Sequence, residues 1–258
     1  METENLGNRL RIASIHAHPD DAEFLAAGTL ALLANEGHEI AIVTMTAGDC
    51  GSGNHGPEEL SKIRKAEATA AANLIGARYL CAEFKDLAIF NDDPSRRRVT
   101  ELLRLLKADV ILTASPSDYL CDHEATSVLV RDACFAASVP NYATGGSEAP
   151  LARIPHLYFM DPMEVTDRTG ARVDADLVID IGSTFETKKS MLAKHESQRS
   201  WLRLQHNVDN YLEQMEAWSR AAARAGAEFG EGFRQYRVHP YPQSDVLADL
   251  LRSHLAAW

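Results

Sequence analysis

Short apolar runs alternate along the chain with longer segments of helical periodicity. In the first half, runs rich in β-branched and aliphatic residues predict four strands, at residues 10–15, 39–46, 78–82 and 109–114. The segments between them predict three helices, at residues 23–35, 57–76 and 95–107. A fourth helix is predicted to open at His123 and to be broken by Pro140.

The second half is less regular but continues the same alternation. It predicts two further strands, at residues 156–160 and 177–181. Long helical patterns follow, at residues 184–203 and 208–225. Residues 229–242 are rich in glycine and aromatic side chains and are predicted to be a loop. Ser244 is predicted to cap a terminal helix with one apolar stripe.

Strands that alternate with helices imply parallel pairing and right-handed crossover connections. No internal repeat, low-complexity linker or shift in composition divides the chain. We therefore predict a single α/β domain over residues 1–258. Its mostly parallel sheet lies between helical layers, and additional helices follow at the C-terminus.

The composition excludes several classes of protein. No apolar run approaches the ~18 residues that a membrane span requires, so no membrane span is predicted. The net charge of −11 and the lack of a long basic stretch argue against a nucleic-acid partner. The acidic, polar N-terminus does not resemble a signal peptide, so a cytoplasmic location is predicted. Four widely spaced cysteines without a C-x-x-C pair form neither a disulfide framework nor a thiolate zinc motif.

The turn after the first predicted strand, residues 16–23 (HAHPDDAE), has an unusual density of imidazoles and carboxylates. Open α/β sheets bind ligands at the carboxyl ends of their strands, where this turn lies. His18 and Asp21 can bind one divalent metal ion there, while Asp20 handles protons. The alternative is that Asp20 or Asp21 caps the following helix, which accounts for one carboxylate but not for the whole cluster.

A third metal ligand must come from elsewhere, and the best candidate is His123, which follows another buried strand at the same edge of the sheet. Together with His18 and Asp21 it makes a His₂Asp set with an open coordination position, which is typical of catalytic zinc sites. The alternative is that His123 lies in the first turn of a helix beside a capping Asp122.

Several of these motifs resemble the LmbE-like, or PIG-L-like, zinc-dependent N-deacetylases. They are Ala17-His18-Pro19-Asp20-Asp21, Thr44-Met45-Thr46-Ala47-Gly48, Arg64-Lys65-Ala66-Glu67-Ala68, Asp86 in its loop, and Asp122-His123-Glu124-Ala125-Thr126. The resemblance implies a Rossmann-like three-layer sandwich that binds Zn²⁺ rather than a dinucleotide. It also implies removal of the acetyl group from an N-acetylglucosamine-type sugar or glycoside, often by a homo-oligomer.

The resemblance also implies a role for each matching residue. His18, Asp21 and His123 match the zinc ligands, and Asp20 matches the general base. Arg64 and Asp86 lie near positions that hold substrate in relatives. For Arg64, the alternative is an ordinary intrahelical ion pair with Glu67 three residues later.

The sequence departs from the family at Leu120, where relatives have a His that assists the developing oxyanion. Tyr119, His195 and His239 are the candidates to replace it, although a structural or surface role is favoured for His195. The departure leaves two other functions open. One is a zinc hydrolase of another amide or ester, and the other is a non-catalytic protein that binds metal or sugar.

Overall fold

The computed structural model describes residues 9–206 and 210–256. The strands of these residues are β1 (Arg11–His16), β2 (Glu39–Thr46), β3 (Arg78–Phe84), β4 (Val110–Thr113), β5 (His156–Met160), β6 (Leu177–Asp180) and β7 (Gly230–Gln235). They form one sheet in the order β3-β2-β1-β4-β5-β7-β6. The first five strands are parallel, while β7 runs antiparallel to both β5 and β6. The predicted α/β class with a mostly parallel sheet is therefore confirmed.

Helices cover both faces of this sheet. They are α1 (Asp21–Leu25), α2 (Ala27–Asn35), α3 (Pro57–Asn73), α4 (Asp93–Leu106), α5 (Cys121–Ala137), α6 (Phe185–Leu192), α7 (Glu196–His206), α8 (Tyr211–Ala222) and α9 (Val246–Leu250). No helix of the described residues is long and apolar enough to cross a membrane.

Alternate residues of the central strands feed two separate cores. Ile12 of β1 lies in the core that α1, α2, α6 and α8 cover, whereas Ala13 and Ile15 lie in the core under α4 and α5. Each strand is thus buried on both faces, which explains the nearly continuous apolar runs in its sequence. The arrangement is a three-layer sandwich.

The order of the strands determines where a ligand can bind. The chain leaves β1 to pair β2 on one side, whereas β4 pairs β1 on the other side. The connections after β1 and β4 therefore diverge and leave a crevice at the carboxyl ends of these two strands. Both His/Asp-rich turns open into this crevice.

Four of the predictions are wrong in detail. The helix predicted at 23–35 is broken at Ala26, and the pattern at 184–203 contains a break around His195, between α6 and α7. The predicted loop at 229–242 contains β7, a buried strand. The side chain of Asp245, not Ser244, caps the terminal helix by accepting a hydrogen bond from the backbone N–H of Ala248.

The break between α1 and α2 is held by a buried ion pair from distant parts of the chain. Glu231 of β7 accepts hydrogen bonds from the backbone N–H groups of Gly28 (2.9 Å) and Thr29 (2.7 Å). Lys188 of α6 donates to Glu231 (2.8 Å) and to the carbonyl of Phe24 (2.7 Å). Both charged side chains are buried. They replace the hydrogen-bond partners that the chain loses where the helix breaks.

Candidate active site

The turn after β1 is strained at the residue that the sequence assigns to proton transfer. Asp20 has a positive φ of 99°, which is uncommon for residues other than glycine. It occupies the N-cap position of α1, but its side chain makes no capping hydrogen bond. The carboxylate of Asp21 accepts instead from the backbone N–H of His18 at 2.7 Å. The capping alternative is therefore wrong, and both carboxylates are available for other contacts.

Three imidazoles converge on one oxygen of Asp21. Its Oδ2 lies 2.6 Å from Nδ1 of His16, 3.3 Å from Nδ1 of His18 and 3.4 Å from Nε2 of His123. Burial opposes ionisation of Asp21, but the neighbouring imidazoles outweigh it and hold the pKa of Asp21 well below its usual range. The crevice therefore contains an ionised, buried carboxylate among nitrogen donors.

Two further carboxylates contact and orient the imidazoles of His18 and His123. Nε2 of His18 lies 3.1 Å from Asp122, and Nδ1 of His123 lies 3.0 Å from Asp118. Each carboxylate is fixed in turn by a backbone N–H, that of Leu87 for Asp122 and that of Met163 for Asp118. This is the carboxylate–histidine pairing that sets the orientation and basicity of metal-binding imidazoles.

The donor set fits a divalent metal ion. Nε2 of His123 is buried and has no hydrogen-bond partner, although it faces Asp21 at the centre of the cluster. Ligand atoms of His16, Asp21 and His123 all lie within 4.8 Å of one another. Two ligands of a tetrahedral zinc ion lie about 3.4 Å apart, given metal–ligand bonds of about 2.1 Å. The distances from Oδ2 of Asp21 to Nδ1 of His18 and to Nε2 of His123 match this value. The shorter distance from the same oxygen to Nδ1 of His16 is that of a direct hydrogen bond.

Asp20 lies beside this cluster in a separate environment. Its Oδ2 accepts a hydrogen bond from the hydroxyl of Tyr211 at 2.5 Å. Burial, and then the charge of Asp21, raise the pKa of Asp20 to about 6. A carboxylate with a pKa close to the working pH is suited to accepting and returning a proton. Tyr211 was not predicted, because its position at the start of α8 carries no motif and only the tertiary fold brings it to Asp20.

A cavity of about 570 Å³ opens in front of these residues. It is bordered by the predicted site residues His18, Asp20, Asp21, Arg64, Asp86 and His123. The structure thus brings all six together in one place. Apolar and aromatic side chains also line the cavity, among them Phe24, Leu202, Tyr211 and Trp218. Asp49 lies behind the wall, where it accepts hydrogen bonds from Lys85 (2.9 Å) and from the backbone N–H of Asp86 (3.1 Å).

The three candidates to replace the family's oxyanion-assisting His have different positions. Tyr119 borders the cavity, and its ring meets that of His123 edge-on with 5.5 Å between centroids. His195 is buried 3.4 Å from Glu23, so the favoured structural role fits, although it does not lie on a polar surface. His239 is exposed and does not border this cavity.

Residues 13–134, just under half of the chain, match the family model described as PIG-L: GlcNAc-PI de-N-acetylase. A mycothiol S-conjugate amidase of Streptomyces coelicolor is 24% identical over 174 residues, which cover 56% of this chain and 59% of that protein. A 4-oxalmesaconate hydratase of Pseudomonas putida is 24% identical over 182 residues, covering 67% of this chain and 68% of that protein. This chain thus spans a little over half of the amidase and about two thirds of the hydratase.

The fold has solved counterparts as well. An N,N'-diacetylchitobiose deacetylase of Pyrococcus horikoshii superposes with a TM-score of 0.74, covering 95% of this chain and 92% of that one, at 21% identity. At that identity the likeness concerns the fold. The metal-fitting cluster lies at the end of the strands that the family match includes, β1 and β4.

Proposed function

Because residues 13–134 match the PIG-L family model, we propose that this protein is a zinc-dependent hydrolase that removes the acetyl group from an N-acetylglucosamine-type sugar or glycoside. One observation carries the proposal: the turns that hold His18 and His123 come together around Asp21 in a cluster that fits a metal ion. Asp20 lies beside this cluster and is not needed to hold the metal. Deacetylases and amidases among the relatives support the reaction class.

In this proposal His18, Asp21 and His123 hold the metal ion, and His16 fixes the Asp21 carboxylate from the buried side. A zinc ion bound there would lower the pKa of a water molecule, which would make this water a nucleophile near neutral pH. Asp20 accepts the proton of this water as it adds to the acetyl carbon. Asp20 then returns the proton to the departing nitrogen, so that acetate and a free amine are the products.

Substrate hydroxyls meet Asp86 at the cavity wall. One of its oxygens accepts from the backbone N–H of Cys50 at 2.9 Å, which fixes the carboxylate. Its other oxygen, Oδ1, is buried without a hydrogen-bond partner. A sugar hydroxyl that donates to this oxygen would satisfy it. This supports the assignment of Asp86 to substrate binding.

Removing the metal tests the proposal directly. We expect the purified protein to contain about one zinc per chain and to release acetate from members of a panel of N-acetylated amino sugars. A chelator should abolish this activity and added zinc should restore it, whereas His123→Ala should retain neither metal nor activity. A protein that contains no zinc and takes up none on titration would overturn the proposal.

Position 120 is Leu, where relatives have the His that assists the oxyanion. We propose that Tyr119 takes over this role by donating a hydrogen bond from its hydroxyl to the developing oxyanion. Tyr119→Phe is then expected to lower kcat about 100-fold with little change in KM, because one preorganised donor contributes on this scale. Steady-state kinetics check this, with Tyr142→Phe, which lies outside the cavity, as the matched control. A Tyr119→Phe protein whose kcat stays within about twofold of the wild type would assign the oxyanion to another group.

A second candidate is the addition of water to a carbon–carbon double bond of a carboxylated substrate. It is favoured by the match to the 4-oxalmesaconate hydratase, which extends over more of this chain than the match to the amidase. A spectrophotometric assay for loss of an unsaturated carboxylic acid separates it from acetate release. Hydrolysis of another amide or ester remains the alternative within the first reaction class, and metal or sugar binding without turnover would indicate a non-catalytic relative.

We propose that the chain forms one domain over residues 1–258, of which the structure describes 9–206 and 210–256. The support for one domain is that the sheet takes β1 to β4 from the first half of the chain and β5 to β7 from the second. The cavity likewise draws its walls from both halves, since Asp20 and Tyr211 both line it and share a hydrogen bond.

A further inference from the structure

Arg64 of α3 is a buried cation that forms no ion pair with any carboxylate of residues 9–206 and 210–256. Its side chain borders the cavity, and the residue is only 4% exposed. Its Nε and Nη2 atoms are buried and have no hydrogen-bond partner. The alternative of an intrahelical ion pair with Glu67 is wrong, because Glu67 accepts instead from the backbone N–H (2.8 Å) and hydroxyl (2.6 Å) of Ser197.

A second deeply buried arginine, on the other face of the sheet, shows how a buried guanidinium is normally satisfied. Arg104 is 3% exposed, but its guanidinium donates to the carbonyls of Ala136, Ala137 and Val139. Removing a guanidinium from water is costly unless its donors are satisfied in this way. Arg64 lacks that compensation, so its position beside the cavity indicates that the missing acceptor comes from a bound molecule.

The loop after β2 is shaped around the Arg64 guanidinium. A Cβ atom at Gly48, where φ is +71°, would lie 2.3 Å from Nη1 of Arg64. A Cβ atom at Gly51 would lie 3.2 Å from Nη2 and 3.6 Å from Oε1 of Gln198, a second buried atom without a partner. Arg64 and Gln198 therefore face the same small region at the edge of the cavity. The side-chain amide of Gln198 can present either its oxygen or its N–H₂ group there.

Asp20 does not serve as the counterion. It lies near enough for the charge of Arg64 to lower its pKa, but its carboxylate is not within 4.0 Å of the guanidinium, and its Oδ2 is engaged by Tyr211. Asp21, Asp86 and Glu164, the other acidic residues that border the cavity, form no ion pair with Arg64 either, and Asp21 lies among the imidazoles.

We propose that Arg64, with Gln198 beside it, binds a carboxylate group of the substrate, so that the substrate is an N-acylated molecule that also carries a free carboxylate. The proposal rests on the proposed function for the acyl group. A guanidinium presents paired N–H groups in a fork that matches the two oxygens of a carboxylate. The carboxylate would supply the negative charge and the hydrogen-bond acceptors that Arg64 lacks.

The test compares matched pairs of ligands that differ only in charge. Each pair is an N-acetylated acid, such as N-acetylmuramic acid or N-acetylglutamate, and its neutral carboxamide. Binding to the zinc-loaded protein is measured by calorimetry and hydrolysis by acetate release. In at least one pair, the acid is expected to bind about tenfold or more tightly than the amide, as charge-assisted hydrogen bonds imply. This ratio should fall to about one in Arg64→Gln and to an intermediate value in Arg64→Lys.

Two controls keep the outcome clear. Arg98→Gln, an exposed arginine on α4, should leave the acid-to-amide ratio unchanged. Unfolding midpoints identify any variant that is damaged in its fold, in which case Arg64→Lys alone decides. No preference for the acid in any pair, or a preference that persists without the arginine, overturns the inference even where acetate is released. Preference for the acids without any acetate release supports the carboxylate site and overturns the proposed hydrolysis instead.

Discussion

Replacing Asp20 with Asn is expected to lower kcat by about 10²- to 10⁴-fold while zinc content stays at the wild-type level. The amide has the shape of the carboxylate, can still accept the hydrogen bond from Tyr211, and tolerates the positive φ at this position. It cannot accept the proton of the attacking water, and general-base catalysis contributes on this scale. Elemental analysis and steady-state kinetics on the same preparation check both parts of the prediction.

Asp92→Asn is the matched control for this substitution. Asp92 is an exposed N-cap residue of α4, far from the cavity, so kcat should not change. Full turnover by an Asp20→Asn protein that holds zinc would remove Asp20 from the mechanism. Loss of zinc together with activity would instead move Asp20 into the metal-binding set.

Glu231→Ala is expected to reduce the free energy of unfolding by about 3–5 kcal/mol. The substitution leaves the ammonium of Lys188 buried without its partner and leaves the N–H groups of Gly28 and Thr29 without an acceptor. Breaking a buried ion pair by removing one partner has this cost because the remaining charge is uncompensated. Denaturant unfolding measures this loss, and metal affinity should weaken as well because the break that positions α1 against α2 loses one of its anchors.

Two further variants separate the buried ion pair from a general effect of losing a glutamate. Glu228→Ala removes an exposed partner of Arg220 and should cost less than about 1 kcal/mol. The double variant Lys188→Met with Glu231→Gln should lose less than the sum of its single changes, since no buried charge is left unpaired. Equal stabilities of the Glu231→Ala and Glu228→Ala proteins would show that the pair does not hold the helix break.

The reactive half of the site could be predicted because its residues are close together in sequence. His18 and Asp21 are separated by a single turn, and the apolar run before each motif places it at the carboxyl end of a strand. Parallel strands then bring His123 to the same edge of the sheet. Local pattern and simple topology are sufficient for this part of the site.

The helix break at Ala26 could not be located from local pattern, since Ala and Leu dominate the segment and its weak helix formers, Gly28 and Thr29, lie inside α2. Its partners, Lys188 and Glu231, lie more than 150 residues away in the chain. Strand β7 was missed for a related reason, because Gly230 and Gly232 give it a low strand propensity. A Cβ atom at Gly232 would lie 2.0 Å from the Asp161 carboxylate, so close packing accounts for the glycine there. In both cases tertiary contacts decide the local structure.

The family match ends at residue 134, and the cavity residues before and after this point differ in how a substitution would affect the protein. The metal-fitting cluster, Asp20 and Arg64 all precede that residue, whereas Gln198, Leu202, Tyr211, Gln214 and Trp218 follow it. Apart from Tyr211, the later residues form walls and take no part in the proposed chemistry. Substitutions among these later residues are expected to change which molecule fits the cavity without altering the reaction. A family match that ends at residue 134 therefore informs on the reaction and not on the substrate.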